Sequence, residues 1–125
     1  MNILLDTHVL IWALENNPTL SKPAVNAIID GGNMVFVSAA SVWEIGIKMN
    51  MGKLEAPDNL LEEIRSHRFT PIPMTLEHAQ LAGRLPDTHK DPFDRMLVAQ
   101  AMIEKLTLVT RDKMILEYKI KTITA

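Results

Sequence analysis

Asn2-Ile3-Leu4-Leu5-Asp6 runs without a break into Thr7-His8-Val9-Leu10-Ile11-Trp12-Ala13-Leu14, and this junction decides the fold. A short apolar run closed by an acid reads as a buried strand. The stretch after it reads as a helix, ended by Asn16-Asn17-Pro18. The same strand-to-helix pattern returns twice. Met34 to Ser38 (MVFVS) has the β-branched and aromatic content of a strand and leads into helical spacing from Ala39 to Met51. Thr107 to Thr110 (TLVT) is followed by Asp112, a cap for a short helix from Lys113 to Tyr118.

The connecting segments complete the pattern. Ser21-Lys22-Pro23 opens a helix that runs through Ile29 and halts at Gly31-Gly32-Asn33. Asp58 and Thr75 are expected N-caps of helices from Asn59 to His67 and from Leu76 to Leu85, with a strand at Thr70 to Pro73 weakened by its two prolines. Asp91-Pro92-Phe93-Asp94 starts a buried helix reaching Leu106, and Lys121 to Thr124 gives a last, peripheral strand. Strands separated by helices imply one α/β domain over residues 1–125, with a mainly parallel sheet of four to five strands and helices on both faces.

Bulk properties narrow the function. With 47% apolar residues, 125 residues suffice for a single core, and 8 Met against 5% aromatics predict an aliphatic one. The absence of Cys excludes disulfides, thiolate metal sites and thiol nucleophiles. The apolar start is broken at Asp6-Thr7-His8, so neither a secretion signal nor a membrane span is read, and a cytoplasmic protein is expected. A formal net charge of −2 is unlike a typical nucleic-acid binder, although bound metal would offset part of the negative charge locally.

Four acids stand where strands hand over to helices. Asp6 closes the first strand, Glu44 lies early in the helix after MVFVS, Asp94 sits in the first turn of its helix, and Asp112 follows TLVT. In a parallel sheet those junctions share one edge. Each acid also has an ordinary structural use: Asp6 and Asp112 as caps, Asp94 at a helix N-terminus, Glu44 paired with Lys48 one turn later. Together they raise a problem that single roles do not. Two full charges about 4 Å apart repel by roughly 4 kcal/mol at an effective dielectric near 20, and a divalent cation removes that cost. Oxygen ligands suit Mg2+ or Mn2+, which activate water and bridge phosphate oxygens, so the constellation points to phosphodiester hydrolysis. Asp6, Asp94 and Asp112 are the candidate metal ligands and Glu44 the group orienting the water or a second ion.

The ordered set Asp6-Thr7, Val42-Trp43-Glu44-Ile45 with Lys48, His89-Lys90-Asp91-Pro92-Phe93-Asp94-Arg95 and Thr110-Arg111-Asp112 resembles the PIN-domain family, and within it VapC-type toxins of bacterial toxin–antitoxin pairs. The likeness spans Asn2 to about Thr124. It implies a three-layer α/β/α sandwich, a three- or four-carboxylate Mg2+ or Mn2+ site, endoribonuclease activity, homodimers and inhibition by a cognate antitoxin protein. His8 stands where many relatives carry Asn or Ser. Asp94 is preferred to Asp91 as the ligand because Pro92 makes Asp91 a natural cap, leaving Asp91 and Thr110 as candidates to support the ligands from behind.

Around the acids, Arg95 and Arg111 are the candidate contacts for substrate phosphates, with His89, Lys90 and Lys113 in the same loops. Trp12 and Trp43 read as core or interface residues before base-stacking platforms, and Ser38 and Ser41 as helix-start residues, since no Gly-x-Ser-x-Gly turn surrounds them. Met49 to Met51 and the N-terminal helices offer an apolar face for a subunit or antitoxin. Two other readings stand beside the nuclease: a catalytically silent PIN-like binding module, and a phosphoacceptor receiver domain. The latter needs an acceptor Asp ending a central strand, whereas MVFVS ends in Ser38 and TLVT in Thr110.

Overall fold

A computed structural model describes residues 1–86 and 89–125. Five strands, β1 (Asn2–Leu5), β2 (Met34–Ser38), β3 (Thr70–Ile72), β4 (Thr107–Thr110) and β5 (Thr122–Thr124), form one sheet in the order β3-β2-β1-β4-β5. Every pairing is parallel. Seven helices among the described residues connect them: α1 (Thr7–Leu14), α2 (Lys22–Ile29), α3 (Ala39–Asn50), α4 (Leu60–Ser66), α5 (Leu76–Arg84), α6 (Pro92–Glu104) and α7 (Lys113–Leu116).

The sheet is covered on both sides, which explains why its central strands place apolar residues at consecutive positions and not at alternating ones. Ile3, Leu5, Val35, Val37 and Val109 face a core with Val9, Leu10, Ala24, Ala27, Ile45 and Ile64 from α1 to α4. Leu4 and Leu108, with Phe36 beside them, face the other core with Ala82, Leu97, Val98, Ala101 and Ile115 from α5 to α7. β1 is central, and its Ile3, Leu4 and Leu5 are fully buried. The two proline-flanked or peripheral segments, β3 and β5, take the edges, where a missing amide in Pro71 is tolerated.

Several boundaries differ from those expected. Asp58 does not cap α4: the helix starts after Asn59, whose backbone (φ −98, ψ 44) is not extended and whose side chain makes no cap bond. It reaches Glu63 instead, at 3.4 Å. α6 stops at Glu104, because Lys105 turns left-handed (φ 57) and releases Leu106 into the core. α7 ends at Leu116, and Tyr118 lies beyond it, buried, its hydroxyl donating to the Pro86 carbonyl at 3.2 Å.

Strand order disposes of the receiver reading. The chain leaves β1 toward β2 and β3 on one side and returns to β4 and β5 on the other, whereas receiver domains have the order 2-1-3-4-5. The place where the direction reverses, between the carboxyl ends of β1 and β4, is where open parallel sheets form a crevice. No helix among the described residues is long and apolar enough to cross a membrane.

Candidate active site

Asp6 and Asp112 flank that crevice. The Asp6 amide prolongs the β1–β4 pairing by donating to the Val109 carbonyl at 3.1 Å, so the residue is still held as strand when its side chain caps α1. Its Oδ1 accepts the Val9 amide at 2.8 Å, and its Oδ2 accepts the Thr110 hydroxyl. The Thr110 oxygen also accepts the Asp112 amide at 3.1 Å, linking the two acids through one hydroxyl. Asp112 Oδ1 caps α7, accepting from Met114 at 2.8 Å and Ile115 at 3.3 Å.

Two further elements bring in the other acids. Asp91 caps α6, its Oδ1 accepting the amides of Phe93 and Asp94 at 2.9 and 3.1 Å. That starts the helix with Asp94 in its first turn, and Asp94 Oδ2 lies 2.7 Å from His89 Nε2. The same nitrogen is 3.6 Å from Asp112 Oδ2. Ser38 caps α3, which carries Glu44 inward, only 3% exposed. Glu44 Oε1 accepts the Thr7 hydroxyl at 2.6 Å, Thr7 stands 3.1 Å from the Ser41 hydroxyl, and Glu44 Oε2 pairs with Lys48 at 2.5 Å.

Structural and chemical uses of these acids therefore coexist. Asp6, Asp91 and Asp112 each commit Oδ1 to a helix N-terminus, satisfying amides that have no partner within the helix. The cap fixes the rotamer and so aims the second oxygen. All four predicted acids, with Asp91, line one cleft of about 340 Å³. A hollow of similar size, about 360 Å³, lies elsewhere between Leu20, Val25, Ile28, Ile29 and Phe69 but holds no acid.

Burial, with neighbouring acids adding to it, raises two carboxyls of the cleft. Burial raises the Asp94 carboxyl to about 7, with the Asp91 and Asp112 carboxylates adding to the effect against the His89 hydrogen bond. Burial also raises Asp6, against its bonds to Thr110 and Val9, and Asp112 pushes the same way. Lys48 is raised by its hydrogen bond to Glu44 and stays a cation. One atom each from His89, Asp94 and Asp112 lie within 4.8 Å of one another, a spacing that a single divalent cation bridges. Hard oxygen donors with one imidazole nitrogen fit Mg2+ or Mn2+.

Other expectations are corrected by the geometry. Arg95 faces away from the acids: Nε donates to Ala82 O at 3.1 Å, Nη1 to Pro86 O and His89 O at 3.0 Å each, and Nη2 to Leu85 O at 2.7 Å. The orphan carbonyls at the end of α5 attract it, so it organises the loop and leaves no fork for a phosphate. Arg111 does line the cleft, yet its donors go to Thr19 and Ala125, and its guanidinium sits 4.2 Å from the Trp12 ring centroid. Trp43 is not core; it is 58% exposed, edge-on to Phe93. Lys90 and Lys113 are exposed, and His8 is exposed at the cleft beside Trp12.

What sequence reasoning missed is the support behind Glu44 and the placement of His89. Thr7 and Ser41 are 34 residues apart, and nothing local announces that they meet. His89 was expected at substrate phosphates, not between two carboxylates; its only signal was proximity in sequence to Asp91 and Asp94.

A family model for the PIN domain matches residues 3–121. A parallel sheet with an acid-lined crevice at its switch point is thus the nucleus of a known class, and the chain belongs to the PIN domain family. Over 76 residues it is 38% identical to Ribonuclease VapC16 of Mycobacterium tuberculosis (strain ATCC 25618 / H37Rv), a match covering 56% of this chain and 54% of that protein. The chain thus matches about half the length of that curated relative. Its fold is similar to VapBC2 from Rickettsia felis bound to a DNA fragment from the promoter, with a TM-score of 0.72, 16% identity and 98% of each chain covered. It is also similar to DNA-bound VapBC from Salmonella typhimurium, with a TM-score of 0.71, 19% identity, and 98% of this chain and 97% of that one covered. A toxin–antitoxin complex from Klebsiella pneumoniae has a TM-score of 0.69 at 18% identity, over 98% and 96% of the two chains.

Proposed function

We propose that this chain is a Mg2+- or Mn2+-dependent endoribonuclease, cytoplasmic, acting as the toxin of a toxin–antitoxin pair. The observation that carries the catalytic part is the gathering of Asp6, Glu44, Asp94 and Asp112 from four separate segments into one cleft. The name of the mycobacterial relative supports RNA as substrate, and the neighbouring complexes support an antitoxin protein as partner. A homodimer is part of the same proposal.

In this reading Asp6, Asp94 and Asp112 hold the cation. When bound, such an ion lowers the pKa of a water and stabilises charge on phosphate oxygens. The chain's own work is to hold the reacting groups still. Thr110 fixes Asp6 and Asp112 relative to each other, and their own cap bonds keep these two carboxylates from rotating. Glu44, held by Thr7 and Lys48, presents acceptor lone pairs to the attacking water and accepts the proton that water loses as its oxygen adds to phosphorus. The leaving sugar oxygen departs on the opposite side, protonated from solvent.

Incubating purified protein with total RNA and with structured tRNA, in Mg2+, Mn2+ or chelator, tests the reading. Cleavage at defined ends that chelator abolishes is expected. Intact RNA with both metals at every concentration of active-folded protein would leave the catalytically silent module as the better account.

A further inference from the structure

We infer that His89 is a direct nitrogen ligand of the bound cation, and that it biases the site toward Mn2+ over Mg2+. The inference rests on the proposed metal site and concerns a residue to which that proposal gives no role.

Geometry singles out the ring. Nε2 is 2.7 Å from Asp94 Oδ2 and 3.6 Å from Asp112 Oδ2, and the ligating atoms of the three residues fit within 4.8 Å. Neighbouring ligands of an octahedral ion with bonds of about 2.1 Å stand roughly 3 Å apart, so a cation on the two carboxylates has this nitrogen within bonding reach. His89 is also held in place. Arg95 donates to its carbonyl at 3.0 Å while anchoring the end of α5, and the ring is part-buried in the cleft wall. The Asp91 amide approaches Nδ1 only at 3.5 Å, so moving the neutral ring's proton from Nε2 to Nδ1 gives up a weak contact and frees Nε2 as a donor of its lone pair.

Ligand chemistry supplies the selectivity. Mg2+ prefers oxygen and retains water, whereas an imidazole nitrogen favours transition ions such as Mn2+. With His89 in place, one ligand of the sphere discriminates between them; without it, the remaining donors are carboxylates that do not. The competing role is that of an internal counter-cation, with the imidazolium neutralising Asp94 and Asp112 and leaving when metal arrives. The two roles have opposite consequences for affinity.

The test is metal binding by the whole chain, read by calorimetry and by pulsed electron paramagnetic resonance of bound Mn2+, for the wild type, His89→Ala and Asp94→Asn. Wild-type Mn2+ is expected to show nitrogen hyperfine coupling that His89→Ala lacks. His89→Ala should weaken Mn2+ binding about tenfold while changing Mg2+ binding by less than about threefold. Absence of nitrogen coupling in the wild type, or tighter binding of both ions by a folded His89→Ala protein, overturns the assignment. If Asp94→Asn loses Mn2+ while His89→Ala retains wild-type affinity, the metal site stands and only the histidine ligand falls; if the wild type binds neither ion, the metal site itself falls.

Discussion

Replacing Asp94 by Asn should stabilise the metal-free protein at neutral and alkaline pH, with a size that the structure bounds. The carboxyl titrates near 3.8 in the unfolded chain and is pushed up to about 7 in the fold by burial and by Asp91 and Asp112. Between those values the native state holds a proton that the unfolded state has released, so stability falls as pH rises through the window and levels off above about 7. Three pKa units at about 1.4 kcal/mol each give roughly 4 kcal/mol as the full difference between the plateaus. Asn cannot ionise, so it escapes this penalty, and the hydrogen bond from His89 already lowers the value of about 7 on which the penalty is based. The expected gain at pH 8 in chelator is up to about 4 kcal/mol, and below pH 4 the variant should be no more stable than wild type. Urea unfolding of both proteins from pH 4 to 8 measures the difference, and subtracting one profile from the other cancels every group they share. Mn2+ at a hundred times the dissociation constant should add about 2.7 kcal/mol to the wild type alone and so offset most of the variant's lead. A wild-type profile parallel to that of Asp94→Asn across this range would refute the claim that burial beside Asp91 and Asp112 raises the Asp94 carboxyl.

Other perturbations separate holding from reacting. Asp6→Asn should abolish metal-dependent RNA cleavage in a gel assay while leaving the circular dichroism spectrum native; cleavage at the wild-type rate would remove Asp6 from the site. Thr7→Val deletes the hydroxyl that donates to the buried Glu44, and thermal unfolding should show a loss of about 1 to 3 kcal/mol together with slower cleavage. Arg111→Met releases Thr19, the Ala125 carbonyl and the face of Trp12, so hydrogen exchange should rise in the α1–α2 connection more than in the sheet. Leu4→Ala, at a fully buried position on the central strand, should destabilise by about 2 to 5 kcal/mol and soften the whole domain in the same denaturation assay.

Elements and their types were legible because they depend on local pattern. NILLD, MVFVS and TLVT place apolar residues at consecutive positions, as strands buried on two faces must, and Ser21, Ser38, Thr75, Asp91 and Asp112 cap helices where a short polar side chain precedes a helical run. Asp58 misled because its own backbone context, not residue type alone, fixes which residue caps, and Asn59 lies between it and α4. The acids of the cleft were legible in part for a related reason: Asp6 and Asp112 sit at strand-to-helix junctions, which share one edge of a parallel sheet, whereas Asp94 follows the α5–α6 connection and Glu44 lies inside α3, so tertiary packing brings those two in.

What the sequence determined by itself was the number of αβ units, the sheet's parallel character and the set of acids at its carboxyl edge, since each follows from contacts within a dozen residues of the position concerned. Only the tertiary structure decided which polar groups meet. Strand order placed β4 beside β1 and so Thr110 beside Asp6; the packing of α1 on α3 joined Thr7 to Glu44; and the end of α5 drew Arg95 away from the cleft that its sequence neighbours line. Those pairings are set by long-range packing of apolar faces, and a side chain's partner across such a contact leaves no periodic trace in the chain.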